Sequence, residues 1–193
     1  MAKKVTIGIC GAKGSFSEAA AKQYVKKMEI GAHDIVYLIT AEAVLNAVQH
    51  GEVDKGVFPI ENSNGGIVIE AVYAMAAHIF TIEKMFEIDV QHTLLVYPGK
   101  TAESIRTVSS HDQAIKQCRM YLKRKWPSVD IKEYPDTAQA AKDLSVGILP
   151  KTVAIIAPAL CAKLYGLDIL EEGIQDLKFN YTSFLAVTKR VEK

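Results

Sequence analysis

Phe86-Glu-Ile-Asp-Val-Gln-His-Thr-Leu-Leu-Val-Tyr97 is a long extended stretch that no helix interrupts, and it changes the rhythm of the chain. Before it, short β-branched runs alternate with longer helical patterns: Val5–Cys10, Ser17–Met28, Ile35–Ile39, Ala41–His50 and Gly56–Pro59. Such alternation marks parallel strands joined by crossover helices. After it the alternation restarts with Thr107–Ser109, a helix over His111–Lys125, Asp130–Tyr134, a helix over Ala138–Leu144, Thr152–Ile156 and a helix over Pro158–Tyr165. A loop follows Gly166, then a last strand over Ser183–Thr188 and a charged tail. A strand entering the second run and a strand returning from it imply an α/β chain of two lobes joined by two crossings, with a ligand cleft between the lobes. The first lobe is expected at about residues 1–90 plus 176–193, the second at about 91–175.

The 193 residues are 49% apolar, enough to bury roughly 70% of the unfolded surface without disulfides or a structural metal. Lys plus Arg number 23 against 22 Asp plus Glu, a net charge of +1. That balance lacks the broad positive field of nucleic-acid or anionic-membrane binders, so a small-molecule partner is expected. The basic runs Lys26-Lys27 and Lys123-Arg124-Lys125 close helical patterns, where cations suit the helix C-terminus. Cys10, Cys118 and Cys161 are odd in number and widely spaced, neither a disulfide framework nor a zinc signature. Met1-Ala-Lys-Lys precedes only a short apolar stretch, and no run reaches eighteen apolar residues. The expected compartment is the cytoplasm.

Four polar loops follow strands and precede helical patterns: Gly11–Glu18, Pro59–Gly66, Ser109–Gln113 and Pro135–Gln139. Each carries a hydroxyl or carboxamide able to cap a helix, with backbone N–H groups left to face an anion. Gly8, Gly11 and Gly14 are spaced G-x-x-G-x-x-G, which is not the dinucleotide fingerprint, and no phosphate loop of the GxxxxGK[ST] type is present. The five histidines, His33, His50, His78, His92 and His111, form no metal-ligand spacing, and His92 is expected in the core or at a hinge. Cys161 is expected to be a small buried hydrophobe beside Leu164. No metal or cofactor is expected.

At these loops the chain resembles the catalytic domain of prephenate dehydratases. Gly11-Ala-Lys-Gly-Ser-Phe-Ser-Glu18 is similar to the family's G-P-E-G-T-F-S-E, and Pro59-Ile-Glu-Asn-Ser63 to its P-I-E-N-S. His92-Thr-Leu-Leu95, Ser110-His-Asp-Gln-Ala114 and Thr137-Ala-Gln-Ala-Ala141 resemble H-x-L-L, S-H-P-Q-A and T-A-E-A-A. Tyr165–Leu170, Ile174-Gln-Asp176 and Asn180 fit the closing segment. The resemblance runs in order from about Val5 to Val187; a single dehydratase-like domain is expected, without an ACT regulatory domain or phenylalanine feedback through one.

The resemblance implies a fold similar to type 2 periplasmic binding proteins and a lyase that converts prephenate to phenylpyruvate, water and CO2 in phenylalanine biosynthesis. It also implies a homo-oligomer, a dimer being the expected form. Prephenate is a dianion that loses a ring hydroxyl and CO2, which requires anion anchors and a proton donor. The family places its donor in a T-R-F motif, here Thr182-Ser-Phe184, so Thr182 is the expected general acid. Lys13, Ser15, Asn62, Ser63, Ser110, Thr137, Ser183 and Phe184 are the expected substrate-binding residues, with Glu61 orienting its loop. Ser183 stands in place of the motif's arginine and cannot supply a bidentate charged grip. Lys13, where the family has an acid, is a candidate replacement charge. Departures also fall at Ala12, Gly65-Gly66-Ile67, Asp112 and Pro158. Two other readings stay open: a prephenate decarboxylase-like enzyme that keeps the ring hydroxyl, and a carboxylate-binding or sensing module without turnover.

Overall fold

A computed structural model of the chain describes residues 4–190, so the outermost residues of the expected N-terminal segment and charged tail lie outside the described residues. The chain divides into two units. Unit 1 holds the described residues up to Ala12, then Phe16–Ile88, and those from Tyr181 onward. Unit 2 holds Asp89–Asn180 together with Lys13–Ser15.

In unit 1 the order is β1 (Val5–Ile9), α1 (Phe16–Lys27), β2 (His33–Tyr37), α2 (Ala41–His50), β3 (Lys55–Asn62), β4 (Gly66–Ile67), α3 (Ile69–Ala77) and β5 (Phe80–Asp89). The sheet runs β2-β1-β3-β11-β5, β11 being the returning strand Tyr181–Lys189, and β4 pairs with β3. β1, β2 and β3 are parallel, while β11 runs antiparallel to β3. Thr40 caps α2 by accepting from the Ala43 N–H, and Gly51 ends it in the left-handed region. Successive residues of β11 face opposite ways. Phe184 joins a stack with Phe86 and Tyr24 of α1, whereas Leu185 and Val187 enter the core built with α2 and α3. Gly56 lets α2 lie close on the sheet, since a Cβ there would sit 2.7 Å from Val44 Cγ1.

Unit 2 continues with β6 (Thr93–Val96), a 3-10 turn at Ala102–Ser104, β7 (Thr107–Ser110), α4 (Asp112–Gln117), α5 (Arg119–Lys125), β8 (Asp130–Glu133), α6 (Thr137–Ser145), β9 (Val153–Ala157), α7 (Leu160–Tyr165) and β10 (Asp168–Glu172). Its sheet runs β10-β6-β9-β7-β8, with β7 parallel to β8 and β9 and β6 antiparallel to β9 and β10. Leu94, Val108, Leu122, Ala154 and Ile156 lie in its core.

Several elements differ from the sequence reading. The stretch Phe86–Tyr97 is two strands: β5 belongs to the first sheet and starts back at Phe80, and β6 belongs to the second. The helix expected over His111–Lys125 breaks at Cys118. The Asp176 carboxylate causes the break by accepting from the N–H groups of Met120 and Tyr121, each at 2.8 Å, which caps a new helix start from a distant segment. The segment Asp176–Asn180, placed in the first lobe on sequence, belongs to unit 2, where Asp176 N–H donates to Gln117 O and Asn180 Nδ2 to Val90 O. β4 and β10 have no counterpart in the sequence reading, and α3 is the helix expected after Pro59–Gly66, for which the sequence reading set no bounds.

Candidate active site

In unit 1 the antiparallel register of β3 and β11 sets Asn62 directly opposite Thr182. Both are buried, at 2% and 8% exposure. Asn62 Oδ1 accepts the backbone N–H groups of Asn64 at 2.8 Å and Gly65 at 2.7 Å, so it holds the turn after β3. Its Nδ2 donates to Tyr181 O at 3.0 Å and to Thr182 Oγ1 at 2.9 Å. These partners orient the carboxamide: two N–H groups on one side demand its oxygen, and a carbonyl on the other demands its nitrogen. Thr182 Oγ1 is therefore an acceptor of this bond. Its own proton has no acceptor among the described residues and is directed elsewhere.

Ser63 extends the cluster. Its Oγ accepts from Tyr181 N–H at 3.0 Å, and its own N–H donates to Tyr181 O at 2.9 Å. Asn62, Ser63 and Thr182 are thus brought together through Tyr181, a residue the sequence reading did not single out. Glu61, expected to orient this loop, is exposed and makes no side-chain hydrogen bond among the described residues; Asn62 performs that task. The loop also opens no helix. It leads into β4, and α3 starts later at Ile69 without a side-chain cap.

Ser183 follows Thr182 on the strand and so faces the other way, on the side of Leu185 and Val187. Its hydroxyl donates to Glu87 Oε1 at 3.3 Å. The position where the family motif has arginine is therefore a cross-strand neighbour of Glu87. Phe184 is 1% exposed and its ring is stacked against Phe86 at 6.1 Å, so it supports the strand as core.

In unit 2 the remaining candidates sit at separate loops. Ser110 is fully buried and its hydroxyl donates to Ile156 O at 2.6 Å, tying β7 to β9. The cap of α4 is His111, whose Nδ1 accepts from Gln113 N–H at 3.2 Å. The cap of α6 is Asp136, accepting from Gln139 N–H at 2.7 Å, while Thr137 is the first helical residue at 8% exposure. The spacing Asp136-x-x-Gln139 is a capping-box pattern and marks the cap one residue before Thr137. Lys13 is exposed and its backbone carbonyl accepts from Tyr165 Oη at 2.6 Å; Ser15 is buried at 5%. Gly14, at φ +90°, has no room for a Cβ, which would meet Leu164 Cδ1 at 2.9 Å and Cys161 Sγ at 3.1 Å. That glycine serves packing on α7. Among the described residues no cluster of His, Cys, Asp and Glu could hold a metal ion.

His92 is wholly buried, and desolvation depresses its imidazole to about 4, with a bond to Gln117 partly opposing. Gln117 Oε1 accepts from Asn180 Nδ2 at 2.9 Å and lies 2.7 Å from His92 Nε2, so the neutral ring carries its proton on Nε2. His92 is a structural histidine of unit 2.

The family model of prephenate dehydratase matches residues 7–192. Arogenate dehydratase 5 of Arabidopsis thaliana is 36% identical over 180 residues, covering 93% of this chain and 41% of the relative. A prephenate dehydratase of Mycolicibacterium gilvum is 33% identical over 189 residues, covering 94% of this chain and 60% of the relative. The crystal structure of an Arthrobacter aurescens prephenate dehydratase in complex with L-Phe superposes with a TM-score of 0.82 at 29% identity, over 97% of this chain and 61% of that one. A putative methionine-binding lipoprotein of Bacillus subtilis shares the fold at a TM-score of 0.56 and 12% identity, over 97% of this chain and 84% of that one. The chain spans between 41% and 60% of the length of the two curated relatives above. With the P-I-E-N-S asparagine bonded to the threonine of the closing motif and the family model covering nearly every residue, the chain belongs to the prephenate dehydratase family.

Proposed function

We propose that the chain is a lyase that converts prephenate to phenylpyruvate, water and CO2, with Thr182 as the general acid. The bond from Asn62 Nδ2 to Thr182 Oγ1 carries this reading. As the ring carboxylate leaves as CO2, the electrons of the broken C–C bond enter the ring and expel the hydroxyl at its opposite end. Thr182 gives that oxygen its proton, and water departs. The Thr182 alkoxide regains a proton from solvent, so the reaction takes up one proton overall. A threonine hydroxyl is a weak acid, so transfer must accompany loss of CO2 and aromatisation, when the departing oxygen is most basic. Asn62 stabilises the charge developing on Oγ1 at that moment, since its N–H already points there.

In this reading Lys13, Ser15, Ser63 and Thr137 anchor the two carboxylates, Asn62 and Ser110 position strands and loops, and the steps need no metal or cofactor. The pathway is phenylalanine biosynthesis and the compartment the cytoplasm. Cys10, Cys118 and Cys161 are not joined in disulfides, which supports a reducing environment. No helix among the described residues is long and apolar enough to cross a membrane. The working form is a homo-oligomer.

The experiment is to add prephenate, and in parallel arogenate, to purified protein and to follow the aromatic product. Phenylpyruvate forming above the uncatalysed rate, with Thr182→Ala at background, is expected. No product above background, or Thr182→Ala equal to wild type, overturns the reading. CO2 release with a non-aromatic product assigns the decarboxylase-like chemistry instead.

A further inference from the structure

Unit 2 carries a groove of about 580 Å³ that the proposed chemistry does not use, a size within the ~300–1,000 Å³ of small-molecule sites. Its floor is apolar: Ile105, at 2% exposure, together with Trp126, Val129 and Leu170, which pack half-buried against the core of the unit. Its rim holds charges of both signs, Arg106 and Lys125 beside Glu103 and Glu171. None of these four is ion-paired among the described residues. Opposite charges that share a rim without pairing are left for a ligand to meet.

Bonds from within the unit hold the charged groups in place. Arg106 Nη1 donates to Glu103 O at 2.6 Å and to Ile105 O at 3.0 Å, which spends both protons of that nitrogen and leaves the Nε and Nη2 N–H groups as a fork for a carboxylate. Glu171 Oε2 accepts from Tyr121 Oη at 2.7 Å, and Tyr121 Oη accepts from Trp126 Nε1 at 3.1 Å. Indole, phenol and carboxylate thus form one directed chain that leaves Glu171 Oε1 to accept from a ligand. A β-bulge completes the arrangement. The register of β10 against β6 shifts between Ile169 and Glu171, with Leu170 the extra residue. Neighbouring side chains of a regular strand point to opposite faces, whereas this bulge lets Leu170 and Glu171 line the same groove.

We propose that this groove binds a free α-amino acid with an apolar side chain. The carboxylate takes the Arg106 fork, the ammonium group donates to Glu171 Oε1, and the side chain lies on Trp126, Val129 and Leu170. A ligand of one sign would meet half of the rim and face its own sign on the other half. A purely apolar ligand would cover charged groups without pairing them. A segment of another protein is the poorer occupant, because an internal peptide residue carries neither a free ammonium group nor a free carboxylate. The groove draws nothing from β3 or β11, so this binding goes beyond the dehydratase reading and is measured without substrate.

Trp126 is the single tryptophan of the chain, so its emission reports on the groove directly. The whole chain is titrated with L-leucine and, in parallel, with L-methionine and L-phenylalanine, followed by tryptophan fluorescence and calorimetry. Saturable binding of at least one of them with a Kd of ~1 mM or tighter is expected. For leucine, 4-methylpentanoate lacks the ammonium group and L-leucinamide the carboxylate, and each should bind at least ~10-fold more weakly. Glycine, which brings no side chain to the floor, should do the same. Glu171→Gln, which can still accept from Tyr121, and Arg106→Gln should each weaken binding ~10–100-fold, with circular dichroism unchanged. Lys132→Gln, at an exposed position of β8 outside the groove, should leave the Kd as it is. Absence of binding by all three amino acids up to ~10 mM overturns the inference. So does binding that the deaminated analogue matches, or that neither rim variant weakens.

Discussion

Asn62 and Thr182, 120 residues apart in the chain, meet across β3 and β11 with the carboxamide nitrogen donating to the hydroxyl oxygen at 2.9 Å. On the proposed function, the direction of that bond suits the hydroxyl to give up its proton. Asn62→Asp should reverse it while keeping the turn: one carboxylate oxygen still accepts from Asn64 and Gly65, and the other now takes the Thr182 proton. The expected result is a fall in kcat of ~10²–10⁴-fold with KM changed much less. Thr182→Ser should retain most activity. Steady-state kinetics of the two variants decide it.

Ser183→Arg should act on stability and leave turnover alone. An arginine there projects beside Glu87, across the sheet from β5, and forms a partly exposed cross-strand ion pair. The expected gain is about 0.2–1 kcal/mol in urea unfolding, reduced at high salt. A kcat/KM raised tenfold or more would show instead that position 183 reaches substrate.

Acid should destabilise the chain through His92. Its folded value of about 4 lies below the ordinary 6.5, so the unfolded state binds the proton first as pH falls. The stabilisation is complete above about 6.5, declines as pH drops towards 4 and levels off below it, in total about 3 kcal/mol. Urea unfolding of wild type and His92→Gln at pH 7 and pH 4.5 tests this, because the difference between the two proteins should shrink at the lower pH. A difference independent of pH would mean that His92 keeps its ordinary titration when buried.

Gly14→Ala should cost about 1–3 kcal/mol. The methyl group would press on Leu164 and Cys161 in a backbone region that L side chains avoid. Gly31→Ala meets nothing within 4 Å and should be close to neutral. Thermal midpoints of the pair separate packing from a general effect of losing glycine.

Local signals carried much of the fold. The helix Ala41–His50 is legible residue for residue, because Thr40 and Gly51 are cap residues whose chemistry acts within one turn. The break at Cys118 was not legible, because the group that creates it, Asp176, is remote in sequence. A helix was expected after Pro59–Gly66, but the extent of α3 was not legible. With apolar residues on all sides it lacks the one-sided period that announces a helix.

For the site, the sequence by itself determined the motifs and their order: P-I-E-N-S at 59–63, Thr182 in the closing strand, and polar loops ahead of α4 and α6. Those are properties of residue type and short spacing. Only the tertiary structure decided what each group does. The antiparallel register of β3 and β11 joins Asn62 to Thr182, strand alternation turns Ser183 toward Glu87, and packing takes Phe184 and Ser110 into the interior. The reason is that hydrogen-bond direction and side-chain facing depend on a partner strand, and the partner's identity and register are absent from either segment alone.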